Sequence, residues 1–163
     1  MIVAIDCNCL VRWSKPDSHP DDAARLDFLL STVAKANGKI VIPMPAFAEY
    51  LTGTNEATAG WVSGLDRKKS VQLAPFDRRS AFACATMDRA AIGSGDKKGG
   101  RNDSWQLIKI DRQIIAIASV NNAELLVSDD GGLVSTALIA GMQAKKISEL
   151  PLPDSAKQNS LKL

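Results

Sequence analysis

The sequence predicts an α/β protein, a three-layer α/β/α sandwich around a central, mainly parallel sheet of about five strands. Short apolar, β-branched runs recur along the chain, stretches with apolar residues at helical spacing separate them, and the connections are short. No internal repeat interrupts this alternation. At 163 residues the length favours one domain, expected over residues 1–150 with a tail at 151–163.

The elements follow in order. Met1 to Ile5 is apolar and stops at Asp6, as a strand buried on both faces of a parallel sheet would. A loop with Pro16, His19 and Pro20 leads to a helix opened by Asp21 and Asp22, carrying Leu26, Leu29, Leu30 and Val33, and stopped by Asn37-Gly38. Lys39 to Ile42 is the second strand, and Pro43 and Pro45 turn the chain into a helix holding Phe47, Glu49 and Tyr50. Asn55 is placed to cap the next helix, Ser70 to Leu73 alternates as a third strand, and Asp77 caps a helix through Ala81 and Ala90. Residues 93–104 are glycine-rich and basic, and read as a flexible loop. Asp111 is expected to begin an apolar helix, followed by the strand Glu124 to Val127, a helix around Leu133 to Ala140, and a last strand near Ala144 to Ile147.

Composition narrows the function. Hydrophobic residues make up 45% and charged residues 23%, which excludes disordered and fibrous classes. The net charge of +2 excludes a strong global basic field, so any nucleic-acid contact falls to local patches. Candidates are Arg67, Lys68 and Lys69; Arg78 and Arg79; Lys97, Lys98 and Arg101; and Lys145 with Lys146, each of which serves equally as a solvated face. Three cysteines give neither a disulfide framework nor a tetrahedral zinc site. With no secretory signal at Met1 to Ile5 and no apolar run of about 20 residues, a cytoplasmic location without membrane contact is expected.

The acids carry the chemistry. In open α/β sheets the binding crevice lies beyond the carboxyl ends of the strands. Asp6 follows the first strand directly, Asp129 and Asp130 follow a later one, Asp111 sits on a helix, and Glu49 lies a turn past Pro45. Each has a plainer reading: Asp111 as a helix cap, Asp129 and Asp130 as turn residues before Gly131 and Gly132, Glu49 as a surface acid. Asp6 resists one, because an acid ending a buried central strand is costly unless paired or bound to metal. Crowded carboxylates repel, and a hard divalent ion with oxygen ligands relieves them. Such an ion acidifies water and stabilises a leaving oxygen, as phosphodiester hydrolysis requires.

Four segments together resemble the PIN-domain ribonucleases, and within them the VapC-type toxins of bacterial toxin–antitoxin pairs. They are Ile2-Val-Ala-Ile-Asp-Cys-Asn-Cys-Leu10, Pro43-Met-Pro-Ala-Phe-Ala-Glu-Tyr-Leu51, Lys109-Ile-Asp-Arg-Gln-Ile-Ile-Ala-Ile-Ala118 and Leu125-Leu-Val-Ser-Asp-Asp130. The resemblance implies Asp6, Glu49, Asp111 and Asp130 as the catalytic acids, with Asp6, Asp111 and Asp130 as metal ligands for Mg2+ or Mn2+. Asn8 and Ser128 take supporting places, and Asp129 occupies the variable position as an extra ligand or a bystander. It further implies cleavage of single-stranded RNA to a 5′-phosphate and a 3′-hydroxyl, a homodimer, and an antitoxin protein that blocks the acidic cleft. Lys97, Lys98 and Arg101, in a loop that compact members lack, are candidate contacts to the RNA backbone.

Two rivals were weighed. A haloacid-dehalogenase-like phosphatase also begins with a strand and an acid, but needs a second acid where this chain has Asn8. A PIN-like module that binds RNA or protein without cutting would retain the acids without turnover.

Overall fold

A computed structural model describes residues 1–54, 56–65 and 67–159. Asn55, the expected cap, lies outside the described residues. The element order is β1 (Ile2–Ile5), α1 (Cys7–Ser14), α2 (Pro20–Lys35), β2 (Lys39–Pro43), α3 (Met44–Thr52), α4 (Glu56–Leu65), β3 (Val71–Ala74), α5 (Arg78–Gly93), α6 (Trp105–Val120), β4 (Leu125–Val127), α7 (Gly131–Ile139), β5 (Gln143–Lys145), a 3-10 turn (Ile147–Glu149) and α8 (Asp154–Asn159). The strands form one five-stranded, all-parallel sheet in the order β3-β2-β1-β4-β5.

The strands alternate their side chains between two apolar layers. Val3, Ile5, Ile40, Ile42 and Val127 face a core shared with Leu10 and Trp13 of α1, Leu26 and Val33 of α2, and Phe47 and Tyr50 of α3. Ala4, Val41 and Leu126 face the opposite core, built from Ile114, Ile115 and Ile117 of α6 and Leu133 and Ala137 of α7. Burial on both sides explains why β1 reads as an unbroken apolar run. Each such side chain contributes about 2 kcal/mol of transfer free energy, enough to anchor the sheet's centre.

Two expectations are corrected. Ahead of the expected loop at Pro16 and His19 stands an unexpected helix, α1, because Asp6 caps it by accepting the Cys9 N–H at 3.2 Å and Cys9, Leu10 and Trp13 bury on one face. The helix expected to begin at Asp111 begins at Trp105, because Ser104 supplies the cap by accepting the Leu107 N–H at 3.2 Å. Asp111 therefore stands inside α6, where it cannot cap. Asn37-Gly38 ends α2 as expected: Asn37 takes φ 51°, and a Cβ on Gly38 would collide with the Met1 carbonyl, which brings β1 and β2 into register. No described helix is long and apolar enough to cross a membrane.

Candidate functional site

The chain leaves β1 toward β2 and β3 on one side, and returns to place β4 and β5 on the other. The crevice at the carboxyl ends of β1 and β4 is thus the switch point at which ligands bind in such sheets. Register fixes what meets there. Ile5 pairs with Val127, so the next residues, Asp6 and Ser128, stand level with one another. The Ser128 hydroxyl donates to Asp6 Oδ2 and accepts the Asp130 N–H at 2.9 Å, which fixes its direction and ties the two strand ends together.

Asp6 is only 4% exposed. Burial lifts its carboxyl from the ordinary 3.8 to about 6, against the hydrogen bonds from Ser128 and Cys9 that pull it down, and the charge of Asp130 raises it further. Asn8, exposed on α1, reaches Asp6 Oδ2 from Nδ2 at 3.5 Å.

Asp130 caps α7, its Oδ1 accepting the Gly132 and Leu133 N–H groups at 2.7 and 3.0 Å. Asp111, buried on α6, has its carboxyl raised first by burial; Arg101 opposes this, and Asp130 and Asp103 add to it. Asp130 thus acts electrostatically on both Asp6 and Asp111. Glu49 is exposed on α3, near enough to help push the Cys7 thiol up to about 12 after burial has done most, but no hydrogen bond joins it to the other three. Asp129 engages elsewhere: its Oδ1 accepts the Ile147 N–H at 3.1 Å and its Oδ2 lies 3.4 Å from Arg12.

The loop behaves differently from its composition. Asp96 gathers the Lys98 and Gly100 N–H groups at 3.1 and 2.5 Å. Lys98 Nζ donates to the Asp103 carbonyl at 2.9 Å, and Lys97 Nζ lies 5.3 Å from the Trp105 ring centroid. Arg101 turns inward, its Nη1 donating to Asp111 Oδ2 at 2.5 Å and to Thr136 Oγ1 at 3.2 Å, and its Nε to Asp103 at 2.7 Å.

Solved structures share this fold. The chain matches one from a VapBC2 complex of Rickettsia felis bound to a DNA fragment from its promoter, with 17% identity, TM-score 0.58, and coverage of 90% of this chain and 98% of that one. It matches a chain of DNA-bound VapBC from Salmonella typhimurium at 13% identity and TM-score 0.57, again covering 90% and 98%. The chain has a PIN-like fold. No family model and no curated protein matches its sequence, so the PIN-like likeness is carried by the path of the chain.

A PIN-like site implies a hard divalent ion, and the donor chemistry fits one. Asp6, Asp111 and Asp130 offer carboxylate oxygens only; burial raises Asp6 and Asp111, Asp130 adds to both, and Arg101 offsets part of this at Asp111. Asp130 Oδ2 and Asp111 Oδ1 accept no hydrogen bond among the described residues. As the side chains lie, no three acids, histidines or cysteines among the described residues close into a chelating group. At Asp111 the Arg101 guanidinium supplies a positive charge.

Sequence reasoning missed two features of this site. Arg101 was read as an outward contact, although it faces the acids. Arg112 was passed over, yet it is buried, donating to Asp88 at 2.7 Å and to the Lys97 carbonyl at 2.7 Å, with its guanidinium 5.4 Å from the Trp105 ring. A charged pair, Asp111-Arg112, within an otherwise apolar helix was the available signal.

Proposed function

We propose that this chain is a metal-dependent endoribonuclease acting on single-stranded RNA, and the toxin of a toxin–antitoxin pair. One observation carries the reading: a PIN-like fold in which Asp130, just after β4, acts electrostatically on both Asp6, just after β1, and Asp111 on α6.

Asp6, Asp111 and Asp130 would hold Mg2+ or Mn2+, with Glu49 the fourth acid at the rim. Such an ion, when bound, acidifies water and neutralises charge on a departing oxygen. The residues do the rest. Ser128 holds Asp6 in one orientation through a hydroxyl whose lone pair is taken by the Asp130 N–H. Asn8 steadies the outer side of Asp6. Lys97 and Lys98 would pair with backbone phosphates, each contact weakening as salt rises, and Arg101 would join them only on leaving Asp111. An antitoxin protein would cover the cleft, and a second copy of the chain could assemble beside it; Asp129 serves the scaffold through Ile147 and Arg12.

Incubation of purified chain with mixed single-stranded RNAs, with and without Mn2+, tests the reading. Wild type should cut only with the ion, and Asp6→Asn should not cut. Equal cleavage by both would remove Asp6 from the mechanism. Expression in a bacterial host should arrest growth unless a cognate antitoxin is supplied, and unimpaired growth would count against the toxin role. The Arg101–Asp111 ion pair favours one second reading, a PIN-like RNA- or protein-binding module without turnover. Metal or RNA binding with no cleavage under any condition would select it.

A further inference from the structure

We propose that Arg101 is a built-in counter-cation that closes the Asp111 corner of the site, so that a divalent ion enters only when the 94–104 loop releases this side chain. The inference rests on the metal-site reading above and adds an internal competitor to it.

The placement of Arg101 is unusual for an arginine on a glycine-rich loop. Its side chain is 11% exposed, and its partner Asp111 is 5% exposed. Ordering and burying so long a side chain opposes folding, and a surface loop offers no reason to do so. What draws it inward is the carboxylate of Asp111, which its Nη1 meets at 2.5 Å, with the charge of Asp130 acting on the same corner. The guanidinium is oriented at three points, Asp111, Asp103 and Thr136, which suits its planar fork.

The walls are shaped to admit it. Gly132, at the start of α7, leaves the space against which the guanidinium lies: a Cβ there would stand 2.6 Å from Arg101 Cζ. The loop is braced in the same pose by the Lys98 contact with the Asp103 carbonyl and by Arg112 holding the Lys97 carbonyl.

A dication held by the free Asp111 oxygen would share that carboxylate with a guanidinium of like charge. The two cations therefore compete for Asp111. A purely structural salt bridge makes a different forecast, namely that its loss lowers stability and leaves metal affinity alone.

The test is Mn2+ binding to the full chain, read from the electron paramagnetic resonance signal of free Mn2+, with no RNA present. Two variants evict the side chain by separate routes. Arg101→Ala removes the charge. Gly132→Ala keeps every charged group and fills the space, while the residue 132 N–H still caps on Asp130. Both should bind Mn2+ about tenfold or more tightly than wild type, and Arg101→Lys should fall between. In wild type, saturating Mn2+ should speed amide hydrogen exchange at residues 96–104. Equal Mn2+ affinity in wild type and Gly132→Ala, or loop exchange unmoved by bound Mn2+, overturns the competition while leaving the metal site standing. Absence of Mn2+ binding in all of these proteins overturns both.

Discussion

Replacing Asp6 by asparagine should make the metal-free protein more stable at neutral pH while abolishing its proposed chemistry. Asp6 is nearly the same size as asparagine, and its oxygens accept from Cys9 and Ser128 in a pocket 4% exposed. A carboxyl lifted from 3.8 to about 6 is harder to ionise in the fold than in water by about 3 kcal/mol. The sign follows from linkage. A raised folded value means that the native state holds the proton more tightly, so this contribution is fully present below about 3.8 and is lost as pH climbs through about 6. At pH 7.5 the wild type carries the whole penalty, and the amide variant carries none.

Urea unfolding in EDTA at pH 4, 5, 6 and 7.5 would read this directly. The difference between variant and wild type should be near zero at pH 4 and grow to about 3 kcal/mol at pH 7.5. For a chain of this size the same change raises the melting temperature by about 6–12 °C. Adding Mn2+ should then stabilise wild type by mass action and leave the variant unmoved. A variant less stable than wild type at pH 7.5, or a difference that ignores pH, would refute the claim that Asp6 is an unrelieved buried charge.

Further outcomes are open to measurement. Ser128→Ala removes the hydroxyl between Asp6 and the Asp130 N–H, and should lower stability by about 1–3 kcal/mol in urea melts. Arg112→Met strips Asp88 and the Lys97 carbonyl of their buried donor; a loss of about 2–4 kcal/mol, with faster proteolysis between residues 94 and 104, is expected. Gly38→Ala drives a Cβ against the Met1 carbonyl and should cost about 1–3 kcal/mol. The Cys7 thiol, pushed up to about 12, should resist iodoacetamide at pH 8 in the native state and react readily in urea, as mass spectrometry would show.

Much of the fold was legible because parallel strands buried on both faces leave unbroken apolar runs, and β1, β2 and β4 have them. Asp77 was readable as a cap for the same kind of reason, a short acid just ahead of an amphipathic stretch. What escaped was set by contacts across the sheet. Helix α1 carries only Cys9, Leu10 and Trp13 as its buried face, too few for periodicity to register in eight residues. Ser104 was hidden within a run that reads as linker, so the start of α6 slipped by two turns.

The same limit explains the site. Four separated acids could be nominated from local context because each follows a strand or lies on a helix near the same sheet edge, and in the structure the charge of Asp130 acts on two of the others, Asp6 and Asp111. The cation among them could not be, because nothing near Arg101 in sequence signals that it will point at a carboxylate on α6 and lie in the gap left by Gly132 on α7. Composition gave the loop its charge, and charge on a glycine-rich loop is ordinarily read as outward. The acids reverse that reading. A cleft that concentrates carboxylates to hold a divalent ion must, when the ion is elsewhere, be neutralised by protons, by solvent cations or by the chain itself. Asp6 takes the first course by holding its proton up to about pH 6, and Asp111 takes the last by holding Arg101. The two acids therefore need not respond alike to added metal: below about pH 6 a proton must leave Asp6, whereas at Asp111 a side chain must leave.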